Sequence, residues 1–175
     1  MTDRGYIHLY TGNGKGKTTA ALGLVMRAAG AGLRCLVIQF MKGKPTSEIE
    51  SAAKLGGAVS IEQYGSDRFC RPEEDTVQEH RELALKGLDR ARDVLQQGKL
   101  DLVVLDEIIT ATLFDLVSQE EIIELMKLKP GGMELVLTGR GATGKLIEHA
   151  DLATEMVELK HYYTRGVPAR RGIEI

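Results

Sequence analysis

The feature of the sequence that most constrains its fold is a glycine-rich segment at residues 11–19, which reads Thr-Gly-Asn-Gly-Lys-Gly-Lys-Thr-Thr. It follows a short β-rich run at residues 6–10 and leads into an amphipathic stretch at residues 17–29. Glycines let backbone N–H groups turn inward, so such a loop and the N-terminus of the next helix form a concave set of donors for phosphate oxygens. The segment therefore predicts a strand, an anion-binding loop and a helix, in that order.

The loop also carries the side chains that nucleotide-binding loops use. Lys17 would place a positive charge beside the phosphates, and the hydroxyl of Thr18 can hold Mg²⁺. The general pattern G-x-x-x-x-G-K-S/T has glycine where this chain has Thr11, but the strand–loop–helix context favours phosphate binding over a simple glycine-rich turn. We expect the following residues to bind nucleotide: Gly12, Asn13, Gly14, Lys15, Gly16, Lys17, Thr18 and Thr19.

The rest of the chain alternates short β-rich runs with helical patterns. The run at residues 102–105 is apolar throughout, which is typical of a parallel strand that is buried on both faces. We therefore predict an α/β fold with a mostly parallel sheet covered by helices on both faces, in one domain over residues 1–175. Further strands are predicted at residues 35–40, 59–63, 134–137 and 154–159, and further helices at about 74–97 and after a capping box of Ser118 and Glu121.

Composition argues against several other classes of protein. The net charge of -2 gives no general attraction for nucleic acid or for an anionic membrane. No apolar run approaches the roughly 20 residues that span a bilayer, and the first predicted strand leaves no room for a signal peptide. Cys35 and Cys70 lack the spacing of a zinc site and fit a reducing compartment. We expect a cytoplasmic protein without a nucleic-acid or membrane partner.

The apolar strand at residues 102–105 ends in two carboxylates, Asp106 and Glu107. Carboxylates at this position hold Mg²⁺ or its waters beside a phosphate loop. Successive side chains alternate along a strand, so the two cannot both point the same way. We expect one to face the metal and the other to orient water, a ribose hydroxyl or the loop. A solvated strand end is the alternative.

Other strand ends face the same edge of the predicted sheet, where ligands bind in such folds. Gln39 lies near the end of the second strand, Lys42 follows that strand, and Arg140 follows the fifth. Arg27 lies on the first helix, where it either reaches the phosphates or is a surface cation. A guanidinium suits a polyphosphate because it bonds two oxygens at once. Residues 141–145 resemble a second phosphate loop but lack Ser or Thr after the lysine, so we interpret them as a turn.

Over its whole length, the chain resembles the P-loop corrinoid adenosyltransferases, also called cob(I)alamin or cob(I)yrinic acid a,c-diamide adenosyltransferases. The resemblance implies a RecA-like P-loop fold. It also implies transfer of the 5'-deoxyadenosyl group of ATP to the Co(I) centre of a reduced corrinoid, with release of tripolyphosphate, in adenosylcobalamin biosynthesis or salvage. The segments that carry it are residues 11–21, 37–43, 103–107, 137–140, 160–161, 166–169 and 172–174.

The resemblance further implies how such a site works. ATP, Mg²⁺ and a reduced corrinoid bind, cobalt is the nucleophile, and the protein positions ATP and neutralises the leaving triphosphate. The family holds ATP in the reverse sense, so the usual β- and γ-phosphate positions do not carry over. Lys17, Thr18 and Glu107 are expected to act in catalysis, with Thr18 and Glu107 as metal ligands and Asp106 as a further candidate.

The corrinoid side of the site departs from the family pattern. Longer members carry a Gly-Phe-Thr-Trp type of motif after the third strand and an N-terminal arm over the corrinoid, whereas this chain has Gly-Ser-Asp-Arg-Phe at residues 65–69 and no tryptophan. Phe69 is the candidate to press on the lower corrin face and exclude an axial ligand, with a buried anchor for the loop as the alternative. We interpret the histidines as structural or surface residues: His8, His80, His149 and His161.

Two other functions remain as alternatives at this point. A P-loop nucleoside kinase such as thymidine kinase would normally carry a cysteine zinc cluster, which this chain lacks. A non-enzymatic ATP-dependent interaction module would bind ATP without using it on a corrinoid. The resemblance also implies a homodimer and an electron-donating reductase as partner.

Overall fold

Six strands of the described residues form one sheet in which every adjacent pair is parallel. The computed structural model describes residues 4–68, 70 and 76–175. The prediction of a mostly parallel α/β sheet is confirmed, and the sheet is parallel throughout these residues. The strands are β1 (Ile7–Thr11), β2 (Cys35–Phe40), β3 (Val59–Tyr64), β4 (Leu102–Asp106), β5 (Glu134–Thr138) and β6 (Leu152–Glu155), in the order β3-β2-β4-β5-β1-β6.

Helices connect the strands, and the predicted helices are found at their expected places, except that the predicted start of the long helix at about residue 74 lies outside the described residues. The predicted capping box is formed, because Ser118 Oγ accepts the N–H of Glu121 at 3.2 Å and Glu121 Oε2 accepts the N–H of Ser118 at 2.7 Å. The helices are α1 (Lys17–Gly30), α2 (Ser47–Ala53), α3 (Thr76–Gln97), α4 (Ile108–Thr112), α5 (Gln119–Leu128) and α6 (Gly144–Glu148), followed by a 3-10 helix at Tyr162–Arg165.

The central strand β4 shows why the sheet needs a helical layer on each face. All five of its residues are buried. Val103 and Leu105 belong to a core that α3, α4 and α5 share, whereas Leu102 and Val104 belong to a second core that contains residues of α1 and α2. Strand side chains alternate between faces, so an apolar run without polar positions is buried only when both faces are covered.

The structure differs from the sequence prediction at short and exposed elements. The sixth strand was predicted at residues 154–159 but lies at Leu152–Glu155, and every residue of it is exposed. Helices α2 and α4 were not predicted. The segment at residues 141–145 was interpreted as a turn, yet its last residues begin α6, where Thr143 Oγ1 accepts the N–H of Leu146 at 3.4 Å.

The strand order brings the phosphate loop and the acidic strand end to one edge of the sheet. Tyr10 is paired with Thr138, and Gln39 is paired with Asp106. Ligands of parallel sheets bind beyond this carboxyl edge, and the candidate site lies there. Among the described helices, none is both long enough and apolar enough to cross a membrane.

Candidate active site

The phosphate loop between β1 and α1 packs closely against the chain that follows β6. The N–H of Gly14 donates to the carbonyl oxygen of Met156 at 2.7 Å. A Cβ atom on Gly12, which has φ of 99°, would lie 2.4 Å from that oxygen, and one on Gly14 would lie 2.7 Å from it. Both positions therefore require glycine for the close approach of two backbones, in addition to any approach of phosphate.

Lys17 is the first residue of α1, and its side chain curls into the phosphate loop. Its Nζ donates to the carbonyl oxygens of Gly12 at 2.7 Å and Gly14 at 2.8 Å. Only 6% of the residue is exposed. Burial lowers the pKa of Lys17, an effect that the charge of Glu107 opposes and that of Arg140 reinforces. The loop thus holds an ammonium group where phosphate oxygens would meet the helix N-terminus.

Asp106, at the end of β4, is fully buried and accepts hydrogen bonds on both carboxylate oxygens. Its Oδ1 accepts from Thr18 Oγ1 at 2.8 Å and from Thr138 Oγ1 at 2.7 Å. Its Oδ2 accepts from Lys42 Nζ at 2.8 Å and from Gln39 Nε2 at 3.2 Å. A buried carboxylate is stable when it is paired and fully hydrogen-bonded. Asp106 therefore joins α1, β2, the loop after β2 and β5.

Glu107 follows Asp106 but faces the cleft, as the alternation of side chains predicts. Its backbone is left-handed, with φ of 61°, and its N–H donates to Thr138 Oγ1 at 2.9 Å. Its carboxylate accepts a hydrogen bond from Thr110 Oγ1, which in turn accepts the N–H of Arg140 at 2.9 Å. A non-glycine residue held at positive φ is a strained conformation that occurs often at functional sites.

Lys42 lies in the loop after β2, between two carboxylates. Its Nζ is 2.8 Å from Asp106 Oδ2 and 3.8 Å from Glu48 Oε1. Burial works against its charge, but the attraction of Asp106 and Glu48 outweighs this, so the pKa of Lys42 is raised. Lys42 consequently remains a cation at the cleft. Gln39 Nε2 also donates to Glu48 Oε1 at 3.0 Å, which ties α2 to β2.

These groups surround a cleft of about 510 Å³. The predicted site residues that line it are Asn13, Gly14, Lys15, Gly16, Lys17, Thr18, Thr19, Lys42, Glu107 and Arg140. Gln39 and Asp106 lie buried behind the lining, and Gly12 contributes the carbonyl that holds Lys17. Arg27 is exposed on α1 and is not part of the lining. Phe69, the candidate corrin contact, lies outside the described residues.

Sequence reasoning missed the part of the cleft lining that lies outside the phosphate loop and the strand ends. This part contains Ser47, Glu48 and Ser51 of α2, together with His161 and residues 172–175. His161 was interpreted as structural or surface; it caps the 3-10 helix by accepting the N–H of Tyr163 on Nδ1 at 3.0 Å, and it also lines the cleft. The available signal was the family resemblance, which runs through residues 160–161 and 172–174.

The cleft offers the hard oxygen donors that Mg²⁺ prefers. Thr18 Oγ1 donates its proton to Asp106, so its lone pairs are directed away from that carboxylate. Glu107 supplies a carboxylate on the cleft surface. Among the described residues, no cluster of three or more His, Cys, Asp or Glu side chains could hold a metal by itself. The donors present therefore fit a Mg²⁺ ion that completes its ligands with phosphate oxygens and water.

Comparison with known proteins gives a consistent result. The family model for "ATP:corrinoid adenosyltransferase BtuR/CobO/CobP" matches residues 3–175. A corrinoid adenosyltransferase of Sinorhizobium sp is 36% identical over 174 residues, which cover 98% of this chain and 81% of the relative. The corrinoid adenosyltransferase of Escherichia coli K12 is 34% identical over 173 residues, covering 98% of this chain and 86% of the relative. Corrinoid adenosyltransferase CobA of Salmonella typhimurium LT2 is 34% identical over 174 residues, with the same coverage.

The fold, the phosphate loop with its acidic partner strand, and a match over nearly the whole chain lead to one conclusion: the chain belongs to the ATP:corrinoid adenosyltransferase BtuR/CobO/CobP family.

Proposed function

We propose that the cleft binds ATP with Mg²⁺ and transfers its 5'-deoxyadenosyl group to a Co(I) corrinoid, so that the triphosphate leaves intact as tripolyphosphate. The observation that supports this proposal is the convergence of four cations on one cleft beside the loop amides: Lys15, Lys17, Lys42 and Arg140. A leaving group that carries several negative charges needs such a set of donors around all of its phosphates.

The reaction requires positioning rather than a protein nucleophile. The cobalt electron pair forms a bond to the 5' carbon, the bond from that carbon to the 5' oxygen breaks, and its electron pair leaves with tripolyphosphate. Negative charge therefore develops on the phosphate nearest the ribose. Each preorganised donor aimed at such charge lowers the activation free energy by on the order of 3 kcal/mol. Lys17 and the loop amides are the proposed donors.

We propose Thr18 and Glu107 as the protein ligands of Mg²⁺. Asp106 was a further candidate, but both of its oxygens already accept two hydrogen bonds each. Its proposed role is to orient Thr18, because a threonine hydroxyl that donates to a carboxylate keeps its lone pairs for a cation. When bound, Mg²⁺ would neutralise phosphate charge and fix the orientation of the triphosphate.

Several wider features remain proposals. A homodimer and a reductase that delivers the electron to the corrinoid rest on the family resemblance, whereas a single domain over residues 1–175 and a cytoplasmic location rest on sequence pattern and composition. Nucleotide binding by Arg27 also remains a prediction, for which its exposed place on α1 gives no support. The kinase and the non-enzymatic module are no longer favoured, because the family is that of the adenosyltransferases.

The proposal is tested by an anaerobic spectral assay with ATP, Mg²⁺ and a Co(I) corrinoid. Lys17→Ala should lower kcat/KM about 100-fold or more, because it removes the ammonium group from the phosphate loop. Lys145→Ala is the matched control, since Lys145 follows a glycine in the segment that resembles a second loop but pairs at the surface with Glu120 at 2.8 Å. Equal rates for the two variants would remove Lys17 from the mechanism.

A further inference from the structure

The C-terminal residues 170–175 form a closed turn rather than an extended tail. The N–H of Arg170 donates to Glu174 Oε2 at 2.9 Å, and the N–H of Glu174 donates to the carbonyl oxygen of Arg170 at 2.9 Å. The Arg170 guanidinium also bonds the same carboxylate, and the hydroxyl of Tyr162 donates to it. These bonds hold Glu174 in one place and give the turn a defined shape.

This turn is attached to two elements of the cleft lining by residues distant in sequence. Lys15 Nζ, on the phosphate loop, donates to the carbonyl oxygen of Ile173 at 3.1 Å and lies 3.3 Å from Glu174 Oε1. Ser47 Oγ of α2 donates to the carbonyl oxygen of Ile175 at 3.0 Å. The turn therefore connects the phosphate loop to α2, two of the elements that line the cleft.

The turn contributes apolar side chains to the cleft lining, unlike the phosphate loop. Ile173 and Ile175 line the cleft and are 57% and 51% exposed, and Leu22 of α1 lines it as well. Aliphatic surface offers nothing to a hydrated phosphate chain, but it is stabilised when a purine base or a ribose covers it. The lining thus combines cations such as Lys17 with aliphatic side chains from the turn and from α1.

We infer that the turn at residues 170–175 is the nucleoside-facing wall of the cleft, with Ile173 and Ile175 contacting the base or ribose of ATP and Glu174 acting as a positioning residue. This inference rests on the proposed function, since it assigns the second half of the same nucleotide site. Glu174 acts through Lys15 and Arg170: its carboxylate fixes the turn against the phosphate loop.

The test compares a ligand that has the nucleoside with one that lacks it. Binding of Mg-ATP and of inorganic tripolyphosphate with Mg²⁺ is measured by calorimetry for the wild-type chain and for variants. The double variant Ile173→Ala/Ile175→Ala should weaken ATP binding about tenfold, because it removes apolar contact area. Glu174→Gln should weaken ATP binding about threefold, as expected for loss of a partly exposed ion pair. Tripolyphosphate binding should not weaken in either variant, because neither change removes a donor to the phosphates.

Matched controls come from the same part of the chain. Leu159→Ala removes a side chain that is 94% exposed and lies outside the cleft lining, and Glu158→Gln makes the same charge change as Glu174→Gln at an exposed position. Both should bind ATP as the wild-type chain does. Retained tripolyphosphate binding reports an intact phosphate loop in every variant.

Two results would overturn the inference while leaving the proposed function in place. ATP binding by the double isoleucine variant could equal that of the wild type, or tripolyphosphate binding could weaken as much as ATP binding. A wild-type chain that bound neither ligand would contradict the proposed function, and the inference with it.

Discussion

Lys42 Nζ lies 2.8 Å from Asp106 Oδ2, which joins the loop after β2 to the end of β4. Asp106 is fully buried, whereas the Lys42 side chain is 27% exposed. Removing the carboxylate would leave a partly buried ammonium and two threonine hydroxyls without their acceptor. The same pair holds Lys42 at the cleft, so stability and the proposed phosphate binding depend on one buried group.

Asp106→Ala should lower the free energy of unfolding by about 3 kcal/mol, because one partner of a buried pair is lost while the other stays. Urea unfolding measures this change. Asp89→Ala is the control, since Asp89 pairs with Arg92 at 2.7 Å at the surface with 75% of its side chain exposed; its loss should cost less than about 0.5 kcal/mol. Similar small losses of unfolding free energy for both variants would show that the hydrogen bonds accepted by Asp106 contribute little to stability.

Gly139→Ala should destabilise the protein by about 3 kcal/mol or more, because no side chain fits there. Gly139 has φ of 143°, and a Cβ atom would lie 2.4 Å from the backbone nitrogen of Thr110. The contrast is Gly23→Ala, inside α1, where a Cβ atom meets nothing within 4 Å. That change should stabilise by about 0.5–1 kcal/mol through helix propensity. Equal unfolding midpoints for the two variants would contradict the close approach of β5 and α4.

The pair formed by Glu62 and Arg90 should make stability depend on pH. Arg90 Nη2 and Nε lie 2.8 Å and 2.9 Å from the Glu62 carboxylate. The hydrogen bonds from Arg90 lower the pKa of Glu62, with burial opposing and Tyr64 assisting. A lowered folded pKa stabilises the protein above the unfolded pKa of about 4.3, and this contribution is lost as pH falls through the lowered value.

Glu62→Gln should therefore lower the free energy of unfolding by about 0.5 kcal/mol at pH 7. The effect is small because the side chains of Glu62 and Arg90 are 30% and 38% exposed, so solvent screens the pair. The difference from the wild type should shrink towards zero near pH 3, measured by urea unfolding at each pH. Arg90→Met in the Glu62→Gln background should add no further pH dependence. A difference that persisted at pH 3 would mean that the glutamate contributes by packing and not by charge.

The sequence carried enough local information to predict the central elements and the phosphate end of the site. The phosphate loop could be predicted because its glycines, the strand before it and the helix after it are adjacent in the sequence. The apolar run of β4 likewise predicts two covered faces. Elements without such a pattern were missed or displaced: α4 has five residues, too few for helical periodicity, and β6 has no buried residue.

The parts that could not be predicted depend on contacts between distant residues. Asp106 was one of two candidate carboxylates, and only the fold shows that Thr18, Lys42 and Thr138 all donate to it. The turn at residues 170–175 has no periodic pattern that would place it beside Lys15. Lys15 and its partner Ile173 are 158 residues apart in the sequence. Such placement follows from packing of the whole chain.

The fate of the three phosphates of ATP tests the central claim most directly. ATP labelled in its γ-phosphate is incubated anaerobically with the protein, Mg²⁺ and a Co(I) corrinoid, and the phosphate products are separated. We expect tripolyphosphate to carry the label, in amounts equal to the adenosylated corrinoid. Label recovered only as orthophosphate beside ADP, with the corrinoid unalkylated, would contradict departure of an intact triphosphate from the ribose carbon.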